Sequence, residues 1–337
     1  MKNKNLVIIN NEKIFRQNDS FYCDNVNLKI LPEELNNYFK IQYIARRSTK
    51  KGQQKVNLKN IKITSNIFNL FYFIFKTFKE KNTKYLLVSI TPFTFLAFII
   101  LFLFRKTPFI YLFSNGYEEY KYILGRWFVW IYHLMFTIIT FKSEVIVCHE
   151  RLFNKKKHVV YISRLDEKWT TPSENAPLDK PRFFYVGRMS AEKGIFDFIE
   201  MFNKLKFDSE FSIIGNSDKQ NILNKSIKLL GYVADTDTLI NIYDKHNIMI
   251  LPSFTEATPY VLDESLSRKR PVIIFEEIEY IVRNKVGIFV SKRDIESFSE
   301  TTKYIMDNYN EIQKKMAANN LPTKKSMIKE ISEIINL

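Results

Sequence analysis

The chain has 337 residues, with 46% hydrophobic and 26% charged positions and only 8 Gly and 10 Pro. That is a folded globular composition of about two domain lengths, which excludes a disordered, collagen-like or hormone-sized chain. Its two cysteines, Cys23 and Cys148, lie 125 positions apart with no CxxC or Cys/His cluster. Neither a zinc site nor a disulfide framework is expected, and a reducing, cytoplasmic setting is.

The net charge of +15 is divided unevenly. Residues 1–170 hold 28 Lys+Arg against 12 Asp+Glu, whereas the remainder holds 23 against 24. All the excess positive charge therefore lies in the first half, which predicts a domain boundary near the midpoint and an anionic partner for the first domain. Lysines and arginines run from Lys50-Lys51 through Arg105-Lys106 to Lys155-Lys156-Lys157, interleaved with long apolar runs. An anionic membrane surface fits that mixture better than nucleic acid, for which no recognised motif is present.

Apolar and β-branched runs predict alternating strands and helices, the pattern of an α/β protein. In the first half the expected strands are Leu6–Ile9, Phe39–Ile44, Tyr85–Ile90, Phe109–Phe113, Val145–Cys148 and Val159–Ile162, with a helix over Ile67–Phe78. Leu86–Phe104 is uncharged for 19 residues. Pro92 divides it into a strand and a helix of about 12 residues, too short for the ~30 Å of a membrane's hydrocarbon. The aromatic run Trp127–Phe141 is similarly short, and its Trp and Tyr residues beside basic ones suit a membrane interface. His133 within it is expected in the core. Met1–Asn10 has too short an apolar stretch for a cleavable signal.

Trp169–Pro181, with three prolines, is the expected linker. Beyond it come strand Phe183–Val186, helix Ile195–Leu205, strand Phe211–Ile214, a helix near Lys219–Leu229, a strand at Gly231–Val233, helix Thr238–His246 and strand Ile248–Leu251. Helix Pro259–Arg268, strands Pro271–Phe275 and Ile288–Val290, and helices Ile295–Asn308, Glu311–Ala318 and one after Pro322 complete the chain.

Two stretches carry chemistry. After strand Ile248–Leu251 a loop holds Glu256, followed by Ala257 and by Thr258 as expected N-cap, with Pro259 at the first helical position. The helix end would direct its amides and partial positive charge toward the sheet's carboxyl edge, where a diphosphate can bind. Tyr260, Glu264 and Ser267 then share one helix face, leaving Leu262 and Leu266 for the sheet. In Tyr185-Val-Gly187-Arg188…Lys193-Gly194, a glycine turn puts two cations at the same edge of the fold, suited to a pyrophosphate. In the first half, Asn115-Gly116 and Glu118-Glu119 follow a strand at its carboxyl end and are candidate acceptor-side residues, or simply a capped helix start.

The Gly-Arg…Lys-Gly loop at 187–194, strand-Pro252-Ser253-x-x-Glu256, the Glu256/Glu264 pair and Pro271-Val272 resemble the donor domain of retaining GT-B glycosyltransferases of group 1, the family-four type. The resemblance covers about residues 181–310. It implies an α/β GT-B fold: two Rossmann-like domains facing across a cleft, a membrane-facing, acceptor-side domain at 1–168, a nucleotide-sugar donor domain at 181–310, and C-terminal helices 311–337 packing back on the first. It further implies that Arg188 and Lys193 contact the donor diphosphate, Glu256 the sugar hydroxyls and Glu264 the ribose, with the backbone of Gly187 and of Ala257 to Tyr260 near the donor. The family's glycines around the first Glu and before the Pro-Val pair are replaced by Ala257-Thr258 and Arg270, so no donor sugar is implied.

The implied function is sugar transfer, with retention, from a nucleotide-diphosphate sugar to a surface-polysaccharide or lipid-linked acceptor, as in bacterial capsule or lipopolysaccharide synthesis. The enzyme would be peripheral on the cytoplasmic face of the plasma membrane and need no metal or cofactor. Asp235-Thr-Asp237 has the letters of a metal motif but is placed to cap a helix. A GT-B sugar-nucleotide epimerase and a non-catalytic binding subunit are the alternatives.

Overall fold

A computed structural model describes residues 4–172, 175–215, 226–256 and 258–337. The chain divides into two compact units, Met1–Ile162 with Lys325–Leu337, and Ser163–Lys324.

In the first unit the elements are β1 (Asn5–Gln17), β2 (Ser20–Cys23), α1 (Val26–Leu35), β3 (Lys40–Arg47), β4 (Gln54–Val56), β5 (Ile61–Thr64), α2 (Ile67–Thr77), β6 (Thr83–Val88), α3 (Pro92–Leu103), β7 (Phe109–Leu112), α4 (Gly116–Ile123), α5 (Val129–Phe141), β8 (Glu144–Val147) and β9 (His158–Val159). Seven strands run parallel in the order β5-β3-β1-β6-β7-β8-β9. The direction of strand succession reverses between β1 and β6, the switch point of a doubly wound sheet. β1 is far longer than the four residues its apolar run predicts. After an irregularity between Ile9 and Lys13 it continues as a polar strand, whose end pairs antiparallel with β2, and β2 in turn with β4.

Pro92 acts as the sequence predicts. It opens α3 behind Thr91, whose hydroxyl accepts from Thr94 N–H while Thr94 Oγ1 accepts from Thr91 N–H, a capping box that starts the helix cleanly. α3 has 12 residues, about 18 Å at 1.5 Å per residue. Among the described residues no helix is long and apolar enough to cross a membrane.

The second unit contains β10 (Arg182–Val186), α6 (Ile195–Phe202), β11 (Glu210–Ile214), β12 (Ile227–Gly231), α7 (Thr236–Lys245), β13 (Ile248–Leu251), α8 (Tyr260–Ser267), β14 (Val272–Phe275), β15 (Ile288–Ser291), α9 (Ile295–Asp307) and α10 (Tyr309–Met316). The last helix, α11 (Lys324–Asn336), falls almost wholly within the first unit's residues. All six strands are parallel in the order β12-β11-β10-β13-β14-β15, so the switch point lies between β10 and β13. Phe183, Phe198, Phe202, Phe211 and Phe298 form a lattice of edge-on and tilted rings between the sheet and helices α6 and α9. These packed aromatics bury large apolar areas and favour such offset geometries.

Two expectations fail here. The helix near Lys219–Leu229 falls partly outside the described residues, and its end is β12, a strand that begins four residues before the expected Gly231. The expected linker is anchored at its start: Trp169 is buried against Tyr243, ring centroids 5.2 Å apart. The reason lies in two arginines whose burial no periodicity reveals. Arg268, 2% exposed, donates to both oxygens of Asp244 at 2.9 and 2.6 Å and to the carbonyls of Trp169 and Thr171 at 3.2 and 2.7 Å. Arg270, fully buried, donates to the carbonyls of Tyr243, Arg268 and Asp244.

Removing one partner of a buried ion pair strands the other charge. Asp244→Ala is therefore expected to lower stability by about 3–5 kcal/mol, and Asp244→Leu with Arg268→Met by less than either single change. Urea unfolding of the parent, the three single variants and the double variant provides the check.

Candidate functional site

The switch point of the second sheet brings together the two loops that follow β10 and β13, although they are some sixty residues apart in sequence. Lys193 Nζ donates to Glu256 Oε1 at 2.6 Å, and Ser253 Oγ donates to the same oxygen at 2.7 Å. The Glu256 side chain is 8% exposed and that of Lys193 23%. Glu256 is further fixed through its backbone, because its N–H donates to Tyr280 Oη at 3.0 Å and its carbonyl accepts from the same hydroxyl. An additional link is Phe254 N–H to the carbonyl of Glu192, at 3.1 Å.

The approach of the loops depends on Gly194. Its φ is +61°, a conformation that side chains rarely adopt, and a Cβ there would stand 2.0 Å from the carbonyl oxygen of Pro252. Arg293, which sequence reasoning missed, braces the same carbonyl. Its Nη2 donates to Pro252 O at 3.0 Å, its Nε to Glu277 at 2.8 Å, and its guanidinium lies 4.2 Å from the centre of the Phe254 ring. Arg293 follows β15, two strands from β13, and only the sheet order brings it here.

The other predicted residues are placed as follows. Gly187 ends β10, its N–H bonded to Ile214 O at 2.9 Å. Arg188 is 81% exposed, with Nη2 3.6 Å from Glu192 Oε1. It is a surface cation rather than part of the Lys193–Glu256 pair. Pro259, not Thr258, occupies the cap position of α8, and no side chain caps the helix, which therefore starts one residue later than the sequence predicts. Ala257 lies outside the described residues. Leu262 and Leu266 are buried on the sheet side, as the helix periodicity predicts.

Glu264, on α8, is 5% exposed and accepts from Tyr243 Oη at 2.8 Å. Burial raises its carboxyl above the ordinary range, against the lowering effect of the Tyr243 hydrogen bond and of nearby Arg164. Arg164 stacks over Tyr260, 4.3 Å from the ring centre. Asp235 caps α7, accepting from Thr238 N–H at 2.8 Å, so the Asp-Thr-Asp sequence is a helix start.

In the first unit Asn115 stands at the cap position of α4 with no side-chain cap bond, and Glu118 lies 3.4 Å from Lys121. Glu119 is exposed. Gly116 is there for space: a Cβ would stand 2.2 Å from the Tyr132 ring. His133 is not the core residue expected. It is exposed, and its Nδ1 lies 2.9 Å from Tyr117 Oη. The first unit's own switch point has a cavity of about 350 Å³ between the β1/β3/β5 ends and the start of α3. Asn11, Arg46, Asn66 and Phe93 line it, and Arg46 Nη1 donates to Asn11 Oδ1 at 3.2 Å. Sequence reasoning missed these because β1 and β3 outrun their apolar segments.

A parallel sheet with two loops joined at its switch point, a cation on a carboxylate and a helix start four residues beyond it, is an arrangement suited to an anionic ligand. Residues 180–308 match the family described as Glycosyl transferases group 1. Over 97 residues the chain is 28% identical to TuaC of Bacillus subtilis (strain 168), named as a teichuronic acid biosynthesis glycosyltransferase; this is 29% of the chain and 25% of TuaC, so the match spans about a quarter of that relative's length. Among solved structures, Anabaena HepE in complex with UDP superposes with a TM-score of 0.72 at 12% identity, covering 99% of each chain. The apo form of the lipopolysaccharide outer core galactosyltransferase WaaB gives 0.69 at 13%, covering 99% of this chain and 100% of that one. Residues 180–308 thus resemble group 1 glycosyltransferases, and the whole chain has the GT-B fold of these solved structures.

Two outcomes test this geometry. Gly194→Ala is expected to destabilise the protein and to loosen the Lys193–Glu256 pair, read as lower stability to urea together with weaker nucleotide binding. The raised Glu264 carboxyl holds its proton more tightly folded than unfolded, so its contribution is complete at acidic pH and is lost as pH rises through the folded value. Glu264→Gln, which keeps an acceptor for Tyr243, is therefore expected to gain stability relative to the parent as pH rises above the ordinary carboxyl range. Urea midpoints across that rise give the comparison, and parallel curves would remove the assignment.

Proposed function

We propose that the protein transfers a sugar, with retention of anomeric configuration, from a nucleoside-diphosphate sugar to a glycan or lipid-linked acceptor in bacterial capsule or lipopolysaccharide synthesis. The observation that carries the reading is the Lys193–Glu256 pair at the second unit's switch point. As the C1–O bond to the β-phosphate breaks, the electron pair stays on the phosphate. Lys193 retains two further N–H donors for it, Arg188 is free to swing over the same edge, and the α8 start adds partial positive charge. Both contacts to Glu256 fall on Oε1, leaving Oε2 to take the sugar hydroxyls. Glu264 is given the ribose; its hydrogen bond to Tyr243 fixes one oxygen and orients the other. This division of charge requires no metal or further cofactor.

For the acceptor, the candidates are Asn115, Gly116, Glu118 and Glu119, together with the cavity at Arg46. Arg46 supplies a cation suited to an acceptor carrying phosphate or carboxylate. We place the enzyme peripherally on the cytoplasmic face of the plasma membrane. The support is the charge balance of residues 1–170 and the exposure of apolar side chains on α2, α3 and α5, among them Phe68, Leu103 and Trp130. Each basic residue near an anionic bilayer contributes about 1 kcal/mol of attraction.

A thermal-shift panel of nucleoside diphosphates and their sugars identifies the donor, since a bound ligand raises stability with its concentration. With that donor, Lys193→Ala is expected to reduce turnover by about 100-fold or more, the scale of losing a group that stabilises developing charge. Proton NMR of the product's anomeric signal then decides retention. Conversion of the nucleotide sugar with no nucleoside diphosphate released would establish the epimerase instead. Ligand binding with neither product would establish the binding subunit.

A further inference from the structure

A second cavity of the first unit lies alongside α5 and the segment 151–156 and shares no lining residue with the Arg46 site. Its volume is about 660 Å³. One side is aromatic, with Phe136 and Phe153 in edge-on contact at 5.8 Å and Phe141 at the rim. Another carries Arg151, Lys155 and Lys156 against one carboxylate, Glu144, which lies 4.0 Å from His158 Nε2. A cavity with three cations, one anion and an aromatic wall suits an anionic headgroup joined to an apolar chain.

Phe141 connects the cavity to a second feature. It is 74% exposed and ends a row on the outer face of α5, after Trp130, Leu134 and Ile138, at helical steps of four, four and three. Trp127, 84% exposed, precedes the helix beside Arg126, and Lys142 Nζ lies 4.7 Å over the Phe141 ring. Apolar and aromatic residues on the outer face, with cations at both ends, are what an interfacial helix presents to a bilayer.

We propose that this cavity is a seat for the phosphate of an anionic membrane phospholipid, with α5 lying in the interface and the lipid's chains leaving past Phe141. The proposal rests on the peripheral membrane reading above and adds the element that enters the membrane and the chemistry that it holds. Arg151, Lys155 and Lys156 take the phosphate oxygens. The aromatic wall takes the first part of the glycerol ester chain.

Two measurements separate the seat from general membrane attraction. The first uses vesicles of phosphatidylcholine, alone or with one third phosphatidylglycerol, and follows tryptophan emission. Trp127 and Trp130 are exposed and Trp169 is buried in the other unit, so a blue shift reports α5. It is expected with the anionic vesicles and not with the neutral ones. The second titrates monomeric dihexanoyl phosphatidylglycerol, below its micelle concentration, into the parent, into Arg151→Gln/Lys155→Gln/Lys156→Gln and into Arg126→Gln/Lys142→Gln. Saturable binding is expected for the parent and the Arg126/Lys142 variant, and a loss of at least tenfold in affinity for the triple variant. Inorganic phosphate is expected to compete weakly.

An emission shift on anionic vesicles with equal short-chain binding by the triple variant and its parent, or with none by either, would overturn the seat and leave the membrane reading standing. Inorganic phosphate binding as tightly as the lipid would assign the cavity to a soluble phosphate instead. No association with any vesicle would overturn both readings.

Discussion

The close contact of Gly194 with the Pro252 carbonyl is the constraint on which the second unit's site depends. Parallel pairing of β10 with β13 brings their carboxyl ends side by side, but two loops can occupy that space only if one lacks a side chain at the crossing. With Gly194 there, the Glu192 carbonyl reaches Phe254 N–H, and Lys193 reaches Glu256. Tyr280 and Arg293 then hold the β13 loop from the far side. The carboxylate is thus placed by backbone contacts and by residues from three other segments. Such overdetermined placement keeps a side chain from relaxing away from its position.

The unit is polar at both ends of its sheet and apolar between them, and the two polar ends do different work. At the amino ends of β13 and β14, Arg268, Arg270 and Asp244 form a buried network with every guanidinium directed at a carboxylate or a carbonyl. A buried ion pair of this kind adds little net stability over an apolar replacement, yet it costs a great deal to break. Here it also draws the Trp169–Thr171 carbonyls onto the domain, converting a stretch of turn-forming composition into ordered chain. At the carboxyl ends, by contrast, Lys193 keeps a quarter of its surface in solvent and Arg188 most of it. Charge left accessible there is charge that a phosphate can neutralise.

Much of this was legible in the sequence because the strands of a parallel sheet, covered on both faces, are short apolar runs. Phe183–Val186, Phe211–Ile214, Ile248–Leu251 and the Pro92 helix start were read within a residue or two. The Lys193 and Glu256 motifs were found through their residue types and order, and the sheet supplied the proximity. What escaped reading shares a different cause. The outer part of β1 and strands β2, β4 and β5 are strands whose apolar residues are too few, over three or four positions, to stand out from the polar sequence around them. β12 follows undescribed residues and reads Ile-Lys-Leu-Leu-Gly, equally good as a helix end. Arg46, Arg293 and the buried arginines are charged residues whose significance is set by strand order, which no local pattern encodes. His133 was misassigned because it sits in an aromatic run, and the run's outer face is itself exposed.

That exposed face explains why composition alone pointed to an anionic partner for the first unit. In residues 1–170, 28 basic residues stand against 12 acidic ones, so cations outnumber the segment's own acids by more than two to one. Like charges held on one domain repel, and solubility alone does not require so large an excess on one half of a chain whose other half is balanced. Large apolar side chains left in water carry a second cost, of about 25 cal/mol per Å². Trp130 and Phe141 on α5 and Trp127 just before it incur that cost, with Arg126 before the helix and Lys142 after it. One surface relieves both costs at once. The anionic bilayer that we propose as partner would accept the apolar face and neutralise the cations around it, whereas nucleic acid would satisfy only the charge and a neutral protein partner only the apolar area.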